Sequence, residues 1–378
     1  MGNRISVSPV AIVIGRGGYN EMGLIRSCGE AGMDVLLIAP DNMIIPIYRS
    51  KYVKKWYSID IHDSDSLTST IETIKKDYPD RIMALYPATD LASALIDKNY
   101  VLLSGMAVIP HASGRLEILM DKSVMSKIAI NADLKVPVTK KFNLGDSEKL
   151  DVSYPCIIKP YRSISGEKGD INICRDRESL ESAVSIYKSK GFFNVIVQDL
   201  IEGKNQEEIA VTGVSAYDGN VYTYGVIHKI RIRDNGSTVF ASYRDDLPHM
   251  LHEKIVTFIS KTGYKGIFDI EFLSNENGIY FIECNFRNGA YGYAVTRAGF
   301  NMPRIFMETS QNIPVKPVSI RKTVFMEERS DMLHMLEHSI SPSRWFRDFI
   351  KTNVYLWWNW KDPRPMMRVP YFIKRLYN

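Results

Sequence analysis

The first hundred residues alternate short apolar runs with amphipathic stretches. Residues 10–14, 34–39 and 82–86 are apolar runs of strand length, whereas residues 66–78 and 90–97 have helical spacing. Apolar runs without alternation are typical of strands buried on both faces, as in parallel sheets. The pattern therefore predicts a Rossmann-like α/β domain with a parallel sheet at the N-terminus.

The turn after the first predicted strand contains Gly15, Gly17 and Gly18. It lacks the full GxGxxG spacing and so supports a dinucleotide site only weakly. The alternative is that these glycines permit a tight turn and close packing of the next helix. Further on, residues 50–57 are basic and aromatic, which predicts a surface loop.

The middle of the chain changes to mixed elements. A helix is predicted over residues 115–131, and strands over 155–160 and 171–174 flank a polar loop, as in a hairpin. A helix over 178–189 and a strand over 194–201 follow.

From Gly203 onward the pattern indicates antiparallel strands. The predicted elements are strands 207–216 and 221–233, a helix over 248–262, and strands 266–273 and 279–284. Asp218-Gly219-Asn220 joins the first strand pair, and Asp-Gly is a strong hairpin signal.

The last predicted hairpin carries polar side chains inside apolar strands. Asp269 and Glu271 share one face of the first strand, and Glu283 and Asn285 share one face of the second, because strand side chains repeat every two residues. Carboxylate and amide oxygens are ligands for Mg²⁺, which completes its shell with phosphates. The alternative is a solvated strand face, but the interleaved apolar residues indicate burial, and buried acids need compensation.

Two lysines and a loop are candidate phosphate ligands. Lys159 lies in the apolar segment IIKP, where an ammonium group needs an anionic partner. Lys122 follows Asp121 on a predicted helix and could equally be solvated. The loop over 161–170 offers backbone N–H groups, hydroxyls and a cation, which can cover a phosphate, although many loops share this composition.

Composition narrows the classes of function. The chain has 378 residues, 45% of them hydrophobic, which suits two or three domains. A net charge of +5 is too small to indicate nucleic acid. The four cysteines are far apart without a CxxC pair, which fits a reducing, cytoplasmic compartment and no structural zinc. No apolar run approaches the ~18 residues of a membrane-spanning helix.

Taken in order, these segments resemble the ATP-grasp superfamily. The resemblance rests on Asp121-Lys122, IIKP, the small-residue loop, VQDLIEG (197–203), FDIEF (268–272) and ECNFR (283–287). RSKYV (49–53), PATD (87–90) and WNWKDPRP (358–365) are similar to the carboxylate–amine ligase branch that contains D-aspartate ligase.

The resemblance implies a domain organisation. A Rossmann-like domain over 1–112 would precede an ATP-grasp domain over 113–312. In the latter, residues up to 200 would cover the nucleotide and residues 201–312 would bind metal and substrate. A basic, aromatic extension would follow over 313–378.

The resemblance also implies roles for single residues. The candidate ATP ligands are Lys122, Lys159, Ser163, Ser165, Gly166, Gln198, Asp199, Leu200, Ile201, Glu207 and Glu208, the last two as alternative ribose ligands. Mg²⁺, or Mn²⁺ in its place, would be held by Glu271, Glu283 and Asn285. Arg287 and Lys159 would be catalytic. The chain departs from the family pattern at Gln206, near the ribose position, and at Phe286, where proline is usual.

A basic strand is a candidate substrate site. His228, Lys229, Arg231 and Arg233 alternate along residues 221–233. In this branch such residues could hold an acidic substrate, with His228, Arg231 and Arg287 as the candidates, and a solvated face is the alternative.

The predicted function is that of an ADP-forming ligase. It would activate a carboxylate as an acyl phosphate and join it to an amine, with an amino acid as one substrate, in cell-envelope or peptide biosynthesis. A bicarbonate-using carboxylase and a non-catalytic nucleotide-binding protein stay open as alternatives. The expected partners are small-molecule carboxylates and amines rather than nucleic acid, and a homo-oligomer stays open.

The segment from residue 340 has a different composition. It holds eight Lys and Arg against two acids, with dense aromatic residues. This composition is typical of a peripheral membrane contact. Its four prolines break any long helix, and its tryptophans could instead pack on the grasp domain or a second subunit, so both hypotheses stand.

Overall fold

The computed structural model describes residues 8–40, 46–145, 152–160, 171–234 and 236–367. Within them, the first sheet has four parallel strands in the order β3-β2-β1-β4, which confirms the predicted Rossmann-like start. Its elements are β1 (Val10–Ile14), α1 (Tyr19–Glu30), β2 (Asp34–Ala39), β3 (Val53–Ser58), α2 (Ser64–Asp77), β4 (Met83–Pro87), α3 (Asp90–Lys98) and α4 (Tyr100–Ser104).

The prediction of a surface loop over residues 50–57 is wrong. Val53–Ser58 forms β3, which pairs in parallel with β2 at the edge of the sheet. Lys54, Lys55 and Trp56 are exposed. Lysines on an edge strand discourage pairing with other chains. They also interrupt the apolar run by which a strand is recognised in the sequence.

The glycine turn before α1 is filled by a side chain of the protein itself. The buried Glu21 carboxylate accepts hydrogen bonds from the backbone N–H groups of Arg16, Gly17 (3.0 Å) and Gly18 (2.8 Å). Gly17 has φ +86°, and a Cβ on Gly15 would lie 1.9 Å from Glu21 Oε1. The structure thus shows the tight turn rather than an open phosphate-binding turn.

The helix predicted over residues 115–131 is interrupted. It consists of α5 (Leu116–Leu119) and α6 (Lys122–Asn131). Asp121 separates them, because its carboxylate accepts from the N–H groups of Ser123 (2.8 Å) and Val124 (3.3 Å) as an N-cap. Lys122 is therefore the first residue of a helix.

The second sheet is antiparallel, in the order β5-β8-β6-β7. Its elements are β5 (Thr139–Asn143), β6 (Cys156–Pro160), β7 (Asn172–Cys174), α7 (Arg177–Ser189) and β8 (Asn194–Asp199). Cys156 and Cys174 lie directly opposite each other, and all four cysteines are buried and free.

The third sheet has the order β14-β13-β9-β11-β12-β15-β16, with β10 beside β9. Its elements are β9 (Glu207–Ser215), β10 (Val221–Tyr222), β11 (Val226–Ile232), β12 (Thr238–Arg244), α8 (His249–Thr262), β13 (Gly266–Asn275), β14 (Gly278–Asn285), α9 (Gly292–Ala298), α10 (Met302–Ser310), β15 (Thr323–Met326), α11 (Glu328–Glu337), α12 (Pro342–Lys351) and β16 (Val354–Tyr355). The predicted strand over 221–233 is thus divided between β10 and β11, and β12 was not predicted.

The C-terminal segment extends the third sheet and also contacts the first domain. β16 pairs in parallel with β15. Asp362 is fully buried and accepts from Arg26 Nε at 3.1 Å, Ser50 Oγ at 2.8 Å and the Lys51 N–H at 2.9 Å. Trp357 is buried as well, next to the core of the first domain. This packing agrees with one of the two hypotheses for the segment.

The described residues include no helix that has both the length and the apolar character needed to span a bilayer.

Candidate active site

A cleft of about 500 Å³ lies between the second and third sheets. The second sheet contributes Lys159 and Gln198, and the third contributes Glu271 and Glu283. The first domain contributes Asp90, which begins α3. Residues from the first domain and from the second and third sheets therefore meet in one concave site, as expected for a ligand site.

The end of the cleft at the second sheet is cationic. Lys159 Nζ donates to Gln198 Oε1 at 2.8 Å, and Gln198 Nε2 donates to Thr139 Oγ1 at 2.8 Å. Burial, and then repulsion from Lys122, lowers the pKa of Lys159 to about 8, against a smaller opposing effect of Glu283. A buried cation beside a second cation favours an anionic ligand such as a phosphate group.

The opposite end is acidic. In the β13–β14 hairpin, Asp269 pairs with Asn285 and Glu271 pairs with Glu283, so the four side chains share one face. Asn285 Nδ2 lies 3.5 Å from Glu271 Oε1. Oxygen donors on neighbouring strands are a suitable ligand set for Mg²⁺.

Asp269 shares this face but does not line the cleft. It is 2% exposed, and both of its oxygens accept from Tyr291 Oη, at 2.9 and 2.8 Å. Burial, and then repulsion from Glu271, raises the pKa of Asp269 to about 7. The oxygen donors of this hairpin face that line the cleft are therefore Glu271, Glu283 and Asn285.

Lys229 reaches the acidic end and was not among the predicted site residues. Its Nζ lies 2.7 Å from Glu271 Oε2 and 3.6 Å from Glu208 Oε2, with the side chain 2% exposed. Burial alone would lower the pKa of Lys229, but the two carboxylates outweigh it and raise the pKa above its ordinary value. The sequence placed Lys229 among the four basic residues of one predicted strand, but nothing in the sequence distinguished it from the other three.

Arg287 joins the two domains at the cleft. Its Nε lies 3.0 Å from Asp90 Oδ1, and its Nη2 donates to Asn285 Oδ1 at 3.3 Å. Burial would lower the pKa of Arg287, but Asp90 and Asp269 outweigh it and raise the pKa. The guanidinium therefore stays charged beside the oxygen donors, and Asp90 is a further site residue that the sequence prediction left out.

The wall between the two ends is largely apolar. Its members are Pro137, Ile157, Ile171, Ile201, Leu273 and Ile282. A planar base suits such a slot. The N–H groups of Asp199 and Leu200 donate to the carbonyl oxygens of Val138 (2.9 Å) and Pro155 (3.1 Å). Any backbone contact of these two residues with adenine would therefore come from their carbonyl oxygens.

The two candidate ribose ligands lie on opposite faces of β9. Glu208 lines the cleft and shares its face with Glu271, because Leu273 pairs with Glu208 and Glu271 with Ala210. Glu207 points the other way and lies 3.4 Å from His228 Nδ1. The structure brings Glu208, not Glu207, to the cleft.

The predicted basic face is divided by a bulge at Ile230. Lys229 pairs with Ala241, but Arg231 pairs with Phe240, so the two side chains leave opposite faces of the sheet. The predicted substrate ligands His228 and Arg231 share the face away from the cleft.

Both of these residues have partners there. His228 Nε2 lies 2.9 Å from Asp246 Oδ2. Arg231 lies 2.7 Å from Asp331 and 2.6 Å from Asp348. The structure therefore does not bring them to the cleft.

Three predicted ATP ligands, Ser163, Ser165 and Gly166, lie outside the described residues.

Comparison with known proteins agrees with this geometry. Residues 131–298 match the profile of the ATP-grasp domain. Over these residues the chain is similar to the ATP-grasp domain. It is 24% identical over 276 residues to the formate-dependent phosphoribosylglycinamide formyltransferase of Sulfolobus acidocaldarius, across 68% of this chain and 67% of that protein.

Solved structures show the same fold. N5-carboxyaminoimidazole synthetase from Staphylococcus aureus with ADP has a TM-score of 0.69 and 16% identity, over 89% and 87% of the two chains. The biotin carboxylase domain of Hydrogenobacter thermophilus 2-oxoglutarate carboxylase, with MgADP and bicarbonate, has 0.65 and 19%, over 83% and 73%. L-amino acid ligase from Bacillus licheniformis has 0.62 and 17%, over 84% and 79%.

These matches confirm the predicted ATP-grasp fold, and two of the solved structures contain ADP, one of them as MgADP. In this chain the donors that fit Mg²⁺ are Glu271, Glu283 and Asn285, since they are the oxygen donors of the β13–β14 face that line the cleft.

Proposed function

We propose that the chain activates a carboxylate with ATP and joins the resulting acyl phosphate to an amine. The observation that supports this most is the arrangement of charge in one cleft, which is lined by Lys122 and Lys159 and by the oxygen donors of the β13–β14 hairpin. Triphosphate with Mg²⁺ would compensate both ends at once.

The chemistry follows in two steps. A carboxylate oxygen of the substrate attacks the γ-phosphorus, the bond to ADP breaks, and an acyl phosphate forms. The amine nitrogen then attacks the acyl carbon, phosphate leaves, and the nitrogen releases a proton. Mg²⁺ supplies neutralisation of the phosphate charge when it is bound. Lys122 and Lys159 hold phosphate oxygens, and Arg287 stabilises the charge that develops on the transferred group.

We place the carboxylate substrate near Lys229 and Arg287. The side chains of Lys229 and Arg287 are 2% and 15% exposed and lie beside the oxygen donors. His228 and Arg231 lie on the other face of the sheet. Asp90 fixes Arg287 from the first domain. Substrate specificity would therefore depend on the contact between the two domains.

We propose an amino acid as one of the two substrates. Support comes from the resemblance of residues 49–53, 87–90 and 358–365 to the D-aspartate ligase branch, and from the fold shared with an L-amino acid ligase. A role in cell-envelope or peptide biosynthesis rests on the same resemblance.

A bicarbonate-using carboxylase is the second candidate. The observation that favours it is the shared fold with a biotin carboxylase domain that binds MgADP and bicarbonate. Bicarbonate is itself a small carboxylate-like anion and could be phosphorylated in the same cleft.

Release of ADP and phosphate separates these functions. The purified chain with MgATP is screened against pools of carboxylates and amines, and hydroxylamine is added to trap acyl phosphate as a hydroxamate. Release that requires both a carboxylate and an amine supports the ligase. Release with bicarbonate alone would favour the carboxylase. ATP binding without turnover in any pool would contradict both in favour of a binding protein.

We also propose that residues 162–169 cover the phosphates, since their composition provides hydroxyls, glycines and a cation. Amide hydrogen exchange in this segment should slow when a nonhydrolysable ATP analogue and Mg²⁺ are added. Unchanged exchange there, with binding confirmed by calorimetry, would contradict the assignment.

A further inference from the structure

Three potential metal ligands meet on one side of α11, apart from the proposed Mg²⁺ site. His334, Glu337 and His338 each offer one ligand atom, and these atoms all lie within 4.8 Å of one another. Residues spaced by three and four positions share one face of a helix, which explains why the side chains converge. The two imidazole rings lie 4.2 Å apart between centroids.

One polar atom of this cluster has no hydrogen-bond partner within the described residues. His334 is 8% exposed, and its Nδ1 is buried without a hydrogen-bond partner there. An orphaned buried nitrogen is costly unless a ligand satisfies it. A metal ion bound at that nitrogen would remove the cost.

A neighbouring carboxylate orients the second ring. His338 Nε2 lies 3.3 Å from Asp234 Oδ1 in the turn between β11 and β12. Metal-binding histidines commonly use one ring nitrogen for the metal and the other for such a carboxylate. Arg233 in the same turn donates to Glu337 Oε1 at 2.7 Å, which leaves Oε2 of that carboxylate for a metal.

We propose that His334, Glu337 and His338 bind a Zn²⁺-like transition-metal ion, with Asp234 as the orienting partner of His338. Two imidazoles and a carboxylate are a ligand set suited to Zn²⁺ and its neighbours rather than to Mg²⁺. In a tetrahedral zinc site, ligand atoms are about 3.3 Å apart, so the present separations of up to 4.8 Å need to close by at most about 1.5 Å.

The site has a structural consequence. Arg233 and Asp234 both line the proposed nucleotide cleft, whereas α11 belongs to the extension over 313–378. A bound ion would fix the orientation of His338, which contacts Asp234 in the β11–β12 turn. It would thereby restrict the movement of one wall of the cleft relative to α11.

Titration of the chelator-treated full chain with Co²⁺ alone tests the proposal, followed by displacement with Zn²⁺. We expect one equivalent of Co²⁺ to give the visible bands of an imidazole-bound ion. The His338→Ala variant should bind at least about tenfold more weakly. This residue is 40% exposed, so its replacement should not prevent folding.

Two controls separate this site from others. His249→Ala removes a histidine that also faces a carboxylate four residues on, Glu253, but is 84% exposed and outside the cluster. Glu283→Gln removes a proposed Mg²⁺ ligand. Both should retain the Co²⁺ bands. Absence of these bands in the wild type, or equal Co²⁺ affinity in His338→Ala and His249→Ala, would overturn the proposal.

Discussion

Two clusters of buried charge differ in how they are compensated. Around Asp362, each charge has a partner: Arg26, the hydroxyl of Ser50 and the N–H of Lys51 surround the carboxylate. Arg26 also donates to the carbonyl oxygens of Leu356 and Trp357. In the cleft, by contrast, the buried Lys159 has a neutral partner and a positive neighbour, and its pKa is lowered to about 8.

The difference separates a structural cluster from a binding site. A fully paired buried charge contributes to the fold and is strongly destabilising when one partner is removed. A cluster that lacks its counter-ion raises the free energy of the unliganded protein and is compensated when the ligand binds. Perturbed pKa values in a cleft are for that reason a sign of function.

The largest effect on activity is expected in the cleft, where the bound ligand compensates the buried charges. Glu283→Gln removes one charge from the proposed Mg²⁺ donors, and we expect ADP release to fall about 1,000-fold, because charge neutralisation by a metal is worth several kcal/mol. The fold should be retained, as judged by the midpoint of thermal unfolding.

The matched control is Glu276→Gln, in the exposed turn of the same hairpin. It should leave ADP release unchanged. Near-wild-type ADP release by Glu283→Gln would contradict the assignment of Glu283 as a metal ligand. The cleft would then no longer differ from the Asp362 cluster in needing a ligand to compensate its charge.

The paired cluster should respond in stability instead. Asp362→Asn leaves the buried Arg26 without its counter-ion, so we expect the free energy of unfolding in urea to fall by about 3 kcal/mol. Asp77→Asn breaks the exposed pair with Lys55, at 3.2 Å, and should leave the free energy of unfolding nearly unchanged.

Nucleotide affinity of the folded Asp362→Asn protein should be close to that of the wild type. A loss of affinity without a loss of stability would show that the Asp362 cluster belongs to the binding site.

The cleft should show a pH dependence that the paired cluster lacks. Below pH 8, Lys159 is charged, and in the proposed mechanism it holds phosphate directly. Above its pKa of about 8 in the free protein, binding must take up a proton. The dissociation constant of an ATP analogue with Mg²⁺ should then rise towards about tenfold per pH unit until the pKa of the complex is reached.

Lys159→Arg provides the control, because arginine stays charged throughout this range. Its affinity should change little between pH 7 and 9.5. Calorimetry in buffers of different ionisation enthalpy should detect the proton uptake for the wild type alone. Affinity that is independent of pH in the wild type would contradict the lowered pKa.

The contrast also marks what the sequence could predict. Short-range patterns identified the parallel sheet, the β13–β14 hairpin and the oxygen donors on it. The period of two along a strand is enough to put Glu271 on the same face as Asp269, and Asn285 on the same face as Glu283. They could not reveal that a bulge at Ile230 turns Lys229 towards the acids and Arg231 away. The contacts of Asp362 with Ser50 and of Asp90 with Arg287 join segments far apart in sequence, so no local pattern contains them.

The smallest effect concerns the exposed half of the C-terminal segment. Trp357 and Asp362 are buried, but α12 has no buried residue, and its Phe346 and Ile350 are 58% and 66% exposed, one turn apart. We expect weak flotation of the full chain with anionic vesicles at low salt, since α12 also carries three basic residues: Arg344, Arg347 and Lys351.

Substitution tests this better than deletion, because removing residues 340–378 would also remove the buried Asp362. Phe346→Ser with Ile350→Ser should abolish most of the flotation, whereas Val101→Ser, which removes a similarly exposed apolar side chain from α4 in the first domain, should not. Raising the salt concentration should release the wild type, because screening weakens the attraction of lysine and arginine to anionic lipid. If the wild type stays in the soluble fraction at low salt, the segment acts only through the packing of its buried half, and the exposed face of α12 contributes nothing to membrane binding.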